Sequence, residues 1–334
     1  MSAILEAYNL TKKFGNFEAV KGISFTVEEG EVFGLLGPNG AGKTTAISML
    51  TTVLKPTSGT ARIGGYDILQ DPMKVKETIG LVPQDLALYP TLSARTNLNF
   101  FGSIYGLRGK ALEDRVDDVL DIVALTDRQK DAVEKFSGGM KRRVNIAAGL
   151  VHHPRLLFLD EPTVGVDPQS RNHIFESVLK LNRERGMSII YTSHYMEEVE
   201  LLCSRVAIID QGVIIAMDSV KNLINMLGGG VIHVGLRQFN PGLLDDIARL
   251  RAVKSATILP APSDGKEPAA VEKPSGEAAE LVTLVKVEAL QSQEALVNLI
   301  RFINDKDLMI ASMEILEPNL ESVFLHLTGK KLRE

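Results

Sequence analysis

The eight residues Gly37-Pro38-Asn39-Gly40-Ala41-Gly42-Lys43-Thr44 fit the spacing G-x-x-x-x-G-K-[ST], and nothing else in the chain restricts its fold so tightly. The glycines let the backbone curl until several N–H groups converge on one point, and the positive end of a following helix adds to the same field. Such a cradle takes a phosphate. Lys43 can reach β- and γ-phosphate oxygens, and Thr44 offers a hydroxyl to a divalent cation. A glycine-rich turn without a ligand has the same composition, so the flanks decide. Residues 32–37 (VFGLLG) are an apolar, strand-sized run, and residues 43–54 (KTTAISMLTTVL) carry helical spacing. Together they predict a strand–loop–helix unit and a nucleotide site.

Further strand-sized apolar runs follow: RLLFLD (155–160), SIIYTS (188–193) and RVAIID (205–210). Helical stretches separate them, which favours a parallel sheet covered on both faces. From about residue 86 to 150 the pattern changes. FFGSIYGL, EDRVDDVLDIVAL and GGMKRRVNIAAGLVH lack strand runs and read as a helical insertion. Asp160 and Glu161 close the apolar run at 156–160. Two acids there are costly unless a cation or hydrogen bonds compensate them, and Mg²⁺ beside a phosphate loop does so naturally. Asp160 then orients the metal, and Glu161 is free to polarise a water. A solvated exit from a strand is the competing reading of the same pair.

At 334 residues the chain has room for about two domains. It is 45% hydrophobic and 24% charged, ordinary globular values. Its net charge of −5 disfavours a nucleic-acid binder, which usually carries a clustered basic field. The single cysteine, Cys203, cannot form an internal disulfide, so a reducing compartment is expected, and its apolar neighbours make it a buried small side chain. No run approaches 18 consecutive apolar residues, and the amino terminus lacks the pattern of a secretory signal, so the expectation is a cytoplasmic protein. His152 and His153 have no metal-ligand spacing and read as helix-end residues.

The glycine run 227–230 predicts a boundary, giving domains at 1–226, with a helical subdomain at about 86–150, and at 227–334. Beyond it the runs VIHVGL, LLDDIARL, SATILP, LVTLVKV, ALVNLIRFI and LMIASMEIL read β-α-β-β-α-β, compatible with a small ferredoxin-like α+β domain. Residues 260–279, rich in Pro, Ala, Glu, Gly and Ser, read as a flexible loop within about 260–280. Leu320, Val323, Phe324 and Leu327 form one apolar stripe on a final helix that docks back.

In order along the chain, several segments resemble the ATP-binding cassette family, specifically the nucleotide-binding subunit of ABC transporters. They are Phe14 in KKFG, the phosphate loop, Gln84 in LVPQD, Phe136-Ser137-Gly138-Gly139-Met140, Asp160-Glu161, Asp167 in VGVD and His194 in TSHYMEE. The likeness covers about residues 4–222 and implies an α/β P-loop NTPase core of the ABC type. It implies ATP and Mg²⁺ as cofactors. Phe14 would stack on adenine, Gly37 through Thr45 would hold the phosphates, and Thr44, Gln84 and Asp160 would hold the metal. Glu161, His194, Gln84 and Lys43 would form the catalytic set. Ser137, Gly138, Gly139 and Asp167 would act across a head-to-tail pair of ATPase subunits, sandwiching ATP between each phosphate loop and the other copy's signature.

The sequence departs from the commonest family pattern at four places without removing a catalytic group. Met140 and Phe136 stand where Gln and Leu are usual, Val164-Gly165-Val166-Asp167 replaces SALD, and Thr96 stands where Glu would complete a capping box from Ser93. No heptad run separates Gln84 from Ser137, and there is one cassette, which argues against chromosome-organising and translation-associated relatives. The tail EPNLESVFLHLTGKK resembles the end of ATPases that drive ABC-2-type exporters. The resemblance therefore implies integral membrane permease subunits as partners, docked near residues 84–107, a second ATPase subunit, no nucleic acid, and a place on the inner face of the membrane. A soluble ABC-type ATPase with a regulatory or nucleic-acid-related role is the alternative.

Overall fold

The computed structural model describes residues 2–237, 239–259 and 282–329, so the loop expected at about 260–280 lies outside the described residues. The chain divides into two compact units, Met1–Val220 and a second beginning at Lys221, a few residues before the glycine run.

The first unit holds two sheets. Strands β1 (Ala3–Phe14), β2 (Phe17–Glu28), β4 (Ser58–Ile63) and β5 (Tyr66–Asp67) pair antiparallel in the order β2-β1-β4-β5. The other sheet uses β3 (Val32–Leu36), β6 (Ile79–Val82), β7 (Leu156–Asp160), β8 (Ser188–Ser193), β9 (Arg205–Asp210) and β10 (Val213–Ser219). Its order is β10-β9-β3-β8-β7-β6. All neighbours run parallel except the β9–β10 pair. Every residue of β3, β7 and β8 is buried, which is why these strands read as continuous rather than alternating apolar runs. Leu5, Leu10, Val20 and Phe25 of the antiparallel sheet share one core with Phe33, Phe158 and Ile190 of the parallel sheet. Phe25 stacks on Phe33 at 5.4 Å between centroids.

Helices α1 (Lys43–Leu50), α2 (Pro72–Thr78), α3 (Ala94–Ile104), α4 (Gly109–Ile122), α5 (Gly138–Leu150), α6 (Pro168–Arg185) and α7 (Met196–Leu202) fill the connections. The stretch expected to be helical holds α3, α4 and α5 and no strand. Ser93 still caps α3, accepting from Thr96 N at 3.1 Å. The Thr96 hydroxyl lies 2.8 Å from the Ser93 hydroxyl, so the shorter side chain joins the cap in place of a reaching glutamate. His152 Nε2 bonds the Ile79 carbonyl at 2.7 Å and its ring stacks on Tyr105.

Two glycines set how closely α5 approaches β6. A methyl on Gly80 would lie 2.1 Å from the Gly149 carbonyl, and one on Gly149 would lie 2.9 Å from Val82 Cγ2. Because backbone stands opposite backbone, Gly80→Ala is expected to cost about 1–3 kcal/mol of stability, read as a lower thermal transition; an unchanged transition would mean that α5 shifts freely.

In the second unit α8 (Val220–Asn225) leads to β11 (Val231–Arg237), α9 (Leu244–Ala248), β12 (Val253–Ile258), β13 (Val282–Ala289), α10 (Ser292–Asp305), β14 (Met309–Leu316) and α11 (Leu320–Thr328). The antiparallel sheet runs β12-β13-β11-β14, the strand order of a ferredoxin-like fold. Alternate residues Ile232, Val234 and Leu236 of β11 meet Ala295, Leu299 and Ile303 of α10, period two against period four on a helix face. On α11, Leu320, Val323 and Phe324 are buried. Leu327, expected on the same stripe, is exposed because it lies in the final turn before Gly329, where a φ of 66° ends the helix. No helix among the described residues is long and apolar enough to cross a membrane.

Candidate functional site

The phosphate-loop residues leave β3 and enter α1 through backbone that only glycine permits. Gly37 passes so close to β9 that a Cβ would meet the Ile209 carbonyl at 2.2 Å, and Gly42 has φ of +108°. Lys43 therefore starts its helix with its side chain turned back under the loop. Its ammonium is buried, donates to the Gly37 carbonyl at 2.7 Å and the Pro38 carbonyl at 3.1 Å, and pairs with Glu161 Oε1 at 2.9 Å. The other Glu161 oxygen lies 3.1 Å from His194 Nδ1. Lys43, Glu161 and His194 thus form a continuous set. They come from the carboxyl ends of the adjacent strands β3, β7 and β8, where open parallel sheets place their ligands.

Asp160 sits just below this set and is buried. Thr192 Oγ1 donates to its Oδ1 at 2.9 Å, and Thr44 Oγ1 stands 3.3 Å from the same atom. Burial pushes the Asp160 carboxyl above its ordinary pKa, with neighbouring Glu161 adding to the rise, while these hydroxyls and Lys43 pull it back. A divalent cation beside Asp160 would relieve that strain. Glu161 itself has φ of 46°, a left-handed conformation rarely adopted by a non-glycine residue. Its N–H is held by Thr192 Oγ1 at 2.8 Å, so one hydroxyl fixes both acids. Thr192 was not legible as a site residue, although a hydroxyl residue two positions before the histidine at a strand end was the available signal.

A cleft of about 610 Å³ opens over these groups. Among its lining residues are Phe14, Asn39, Gly40, Gly42, Thr44, Thr45 and Gln84, all expected, together with Lys43, Glu161 and His194. Phe17, Ala19, Val164 and Tyr195 line it as well and were not anticipated. Phe14 is half exposed, with Lys12 Nζ 5.2 Å from its ring centre. Gly37, Pro38, Ala41 and Asp160, also expected, are not among the lining residues, and Ala41 and Asp160 are buried. The backbone at Gln84 is tied to α5: Arg142 donates to the Pro83 carbonyl at 2.8 Å and to the Gln84 carbonyl at 2.7 Å.

Ser137, Gly138, Gly139 and Asp167 are not among the residues lining this cleft. Ser137 caps α5, accepting from Met140 N at 3.2 Å, and Asp167 caps α6, accepting from Ser170 N at 2.9 Å. That backbone donation from Ser170 holds the Asp167 carboxyl below its ordinary pKa. The two caps are neighbours. A methyl on Gly139 would lie 2.1 Å from Ser170 Cβ, whereas one on Gly138 would have only the Gly165 carbonyl within reach, at 3.8 Å. The expected nucleotide residues therefore fall into two groups, a cleft and a separate pair of helix starts.

Comparison with known proteins fits this geometry. The family model "ABC transporter" matches residues 20–164. The chain is 46% identical over 332 residues to the linearmycin resistance ATP-binding protein LnrL of Bacillus subtilis, spanning 99% of this chain and 100% of that protein. It is 36% identical over 329 residues to the daunorubicin resistance ATP-binding protein DrrA2 of Streptomyces coeruleorubidus, spanning 98% of this chain and 95% of that one. Among solved structures, the ADP conformation of an ATP-binding cassette of an ABC transporter aligns with a TM-score of 0.61 at 26% identity, covering 66% of this chain and 93% of that one. A dimeric post-hydrolysis cassette bound to ADP and phosphate aligns with a TM-score of 0.59 at 25% identity, covering 64% of this chain and 98% of that one. With a phosphate loop, a buried acid pair and a histidine gathered over one cleft, and relatives matched along nearly their whole length, the chain belongs to the ABC transporter family as one of its ATP-binding, ATP-hydrolysing subunits.

Proposed function

We propose that this chain energises an ABC-2-type exporter, working from the cytoplasmic face through separate integral membrane permease subunits and pairing head to tail with a second ATPase subunit of its own kind. The drug-resistance names of its full-length relatives support the exporter reading. The observation that carries the mechanism is the Lys43–Glu161–His194 set at one cleft, with Ser137 and Gly138 outside it.

In this reading Phe14 stacks on adenine, and the loop from Gly37 to Thr45 holds the phosphates against the start of α1. Lys43 and Glu161 satisfy one another at 2.9 Å. A γ-phosphate that takes the Lys43 charge frees Glu161 to accept a proton from the attacking water, while His194 donates to the phosphoryl oxygens. Thr44, Asp160 and Gln84 would hold Mg²⁺, whose chemistry there is to neutralise charge on the phosphate oxygens. Asp160 suits that role because its burial raises its pKa by more than the Thr44 and Thr192 hydroxyls and Lys43 lower it. Among the described residues no group of three or more His, Cys, Asp or Glu side chains is placed to hold a metal ion.

Gly138 gives the cleanest test of the head-to-tail pair, because its own chain leaves room for a side chain. Gly138→Asp is expected to leave binding of a fluorescent ATP analogue within about twofold and to cut turnover about 100-fold, since a carboxylate would face the other copy's γ-phosphate. Undiminished turnover would overturn the pairing. Membrane coupling is tested separately, by copurification with, and stimulation by, an integral membrane partner. Stimulation by nucleic acid instead would favour the soluble regulatory alternative.

A further inference from the structure

Glu198 on α7 is only 3% exposed, and the roles assigned above do not use it. Its Oε2 accepts from three hydroxyls, Thr163 Oγ1, Tyr191 OH and Ser193 Oγ, each at 2.9 Å. Its Oε1 lies 3.7 Å from Arg171 Nε on α6, and neither of those two atoms has a hydrogen bond. Burying an acidic group to tie strands together is an expensive way to pack a core, so the identity of the tied segments matters.

Two of the three hydroxyls belong to turns that carry the cleft's reactive groups. Ser193 Oγ also accepts from Tyr195 N at 2.9 Å, which spans the turn at His194. Thr163 follows Glu161 by two residues, and its carbonyl accepts from Val166 N at 3.1 Å, in the turn leading to Asp167. Arg171 completes the link, its guanidinium 5.4 Å from the centre of the Tyr195 ring. The third hydroxyl, Tyr191, lies within β8 beside Thr163, and its loss leaves the Ser193 and Thr163 bonds to Glu198 in place.

We propose that Glu198 is a positioning residue for hydrolysis: by holding the Ser193–Tyr195 turn and the Glu161–Asp167 turn on one acceptor oxygen, it sets the approach of His194 to Glu161. The proposal deepens the reading of Glu161 and His194 as the hydrolytic groups and rests on it. It also joins those groups to Asp167, so that a change at the γ-phosphate side moves the Asp167 turn with it.

The test compares the three donors in the full chain, with kcat, KM and the thermal transition measured together. Ser193→Ala and Thr163→Val are each expected to lower kcat about tenfold with KM within about threefold, because small misplacement of reacting groups is costly. Tyr191→Phe removes an equal hydrogen bond and is expected to lower the thermal transition as much while leaving kcat within about twofold. Glu198→Gln keeps an acceptor oxygen and is expected to hold kcat within about threefold, where Glu198→Leu loses tenfold or more. Equal kcat losses for Tyr191→Phe and the two turn variants, or no kcat loss in any of them, would overturn the proposal. Turnover that survives Glu161→Gln would instead remove the hydrolytic reading on which it rests, and that variant is scored independently of the Glu198 series.

Discussion

Glu161→Gln is expected to slow ATP turnover by about 10²- to 10⁴-fold, the range that a positioned general base supplies. The exchange is isosteric, so the left-handed backbone at 161 and its hydrogen bond to Thr192 are kept. What is lost is the oxygen that takes a proton. Nucleotide affinity should remain within about threefold, since glutamine still fills the space beside Lys43 and no longer competes for its charge. Hydrolysis being blocked, ATP should accumulate across the paired copies, and light scattering should report a dimer with ATP and a monomer without it. Full turnover in this variant would take Glu161 out of the reaction. A monomer at saturating ATP would instead remove the head-to-tail pair while leaving the catalytic reading in place.

Lys43→Met should abolish measurable nucleotide binding and destabilise the chain as well. The ammonium is buried against the Glu161 carboxyl at 2.9 Å and bonded to two loop carbonyls, at Gly37 and Pro38. Removing one partner of such a pair leaves a buried acid without its lysine cation, with only the His194 ring 3.1 Å from its other oxygen, which costs about 3–5 kcal/mol. The two effects separate in the double variant Lys43→Met/Glu161→Gln. Its thermal transition should recover most of the lost stability, because the uncompensated acid is gone, while binding of ATP stays lost because the cation is gone. Recovery of binding in the double variant would show that Lys43 serves only to neutralise Glu161.

The fold and site were unequally legible along the chain. The buried strands β3, β7, β8 and β9 announced themselves because a strand covered on both faces has to be apolar throughout. The first antiparallel sheet did not. β1 and β2 mix Glu, Lys and Asn with Ile, Leu and Val, and the register between them shifts at several points, which breaks a simple alternation. The ferredoxin-like order of the second unit was readable because each of its elements is short, periodic and separately punctuated.

Local chemistry followed the same division. The phosphate loop, the acid pair and the histidine are written in consecutive residues, because a backbone cradle, a strand end and a tight turn are each built from a few neighbours. Thr192, Tyr195 and Glu198 gave no comparable signal. Their roles depend on where β7, β8 and α7 bring separate turns together, through bonds such as Thr192 to Asp160 and Glu198 to Thr163. The sequence by itself determined which groups this chain can offer to a phosphate. Only the tertiary structure decided the contacts by which Lys43, Glu161 and His194 meet at one cleft, with Thr192 bonded to both acids. The physical reason is that hydrogen bonds and ion pairs act over a few ångströms of space, and strand order, which residue spacing does not encode, sets which distant residues come within that reach.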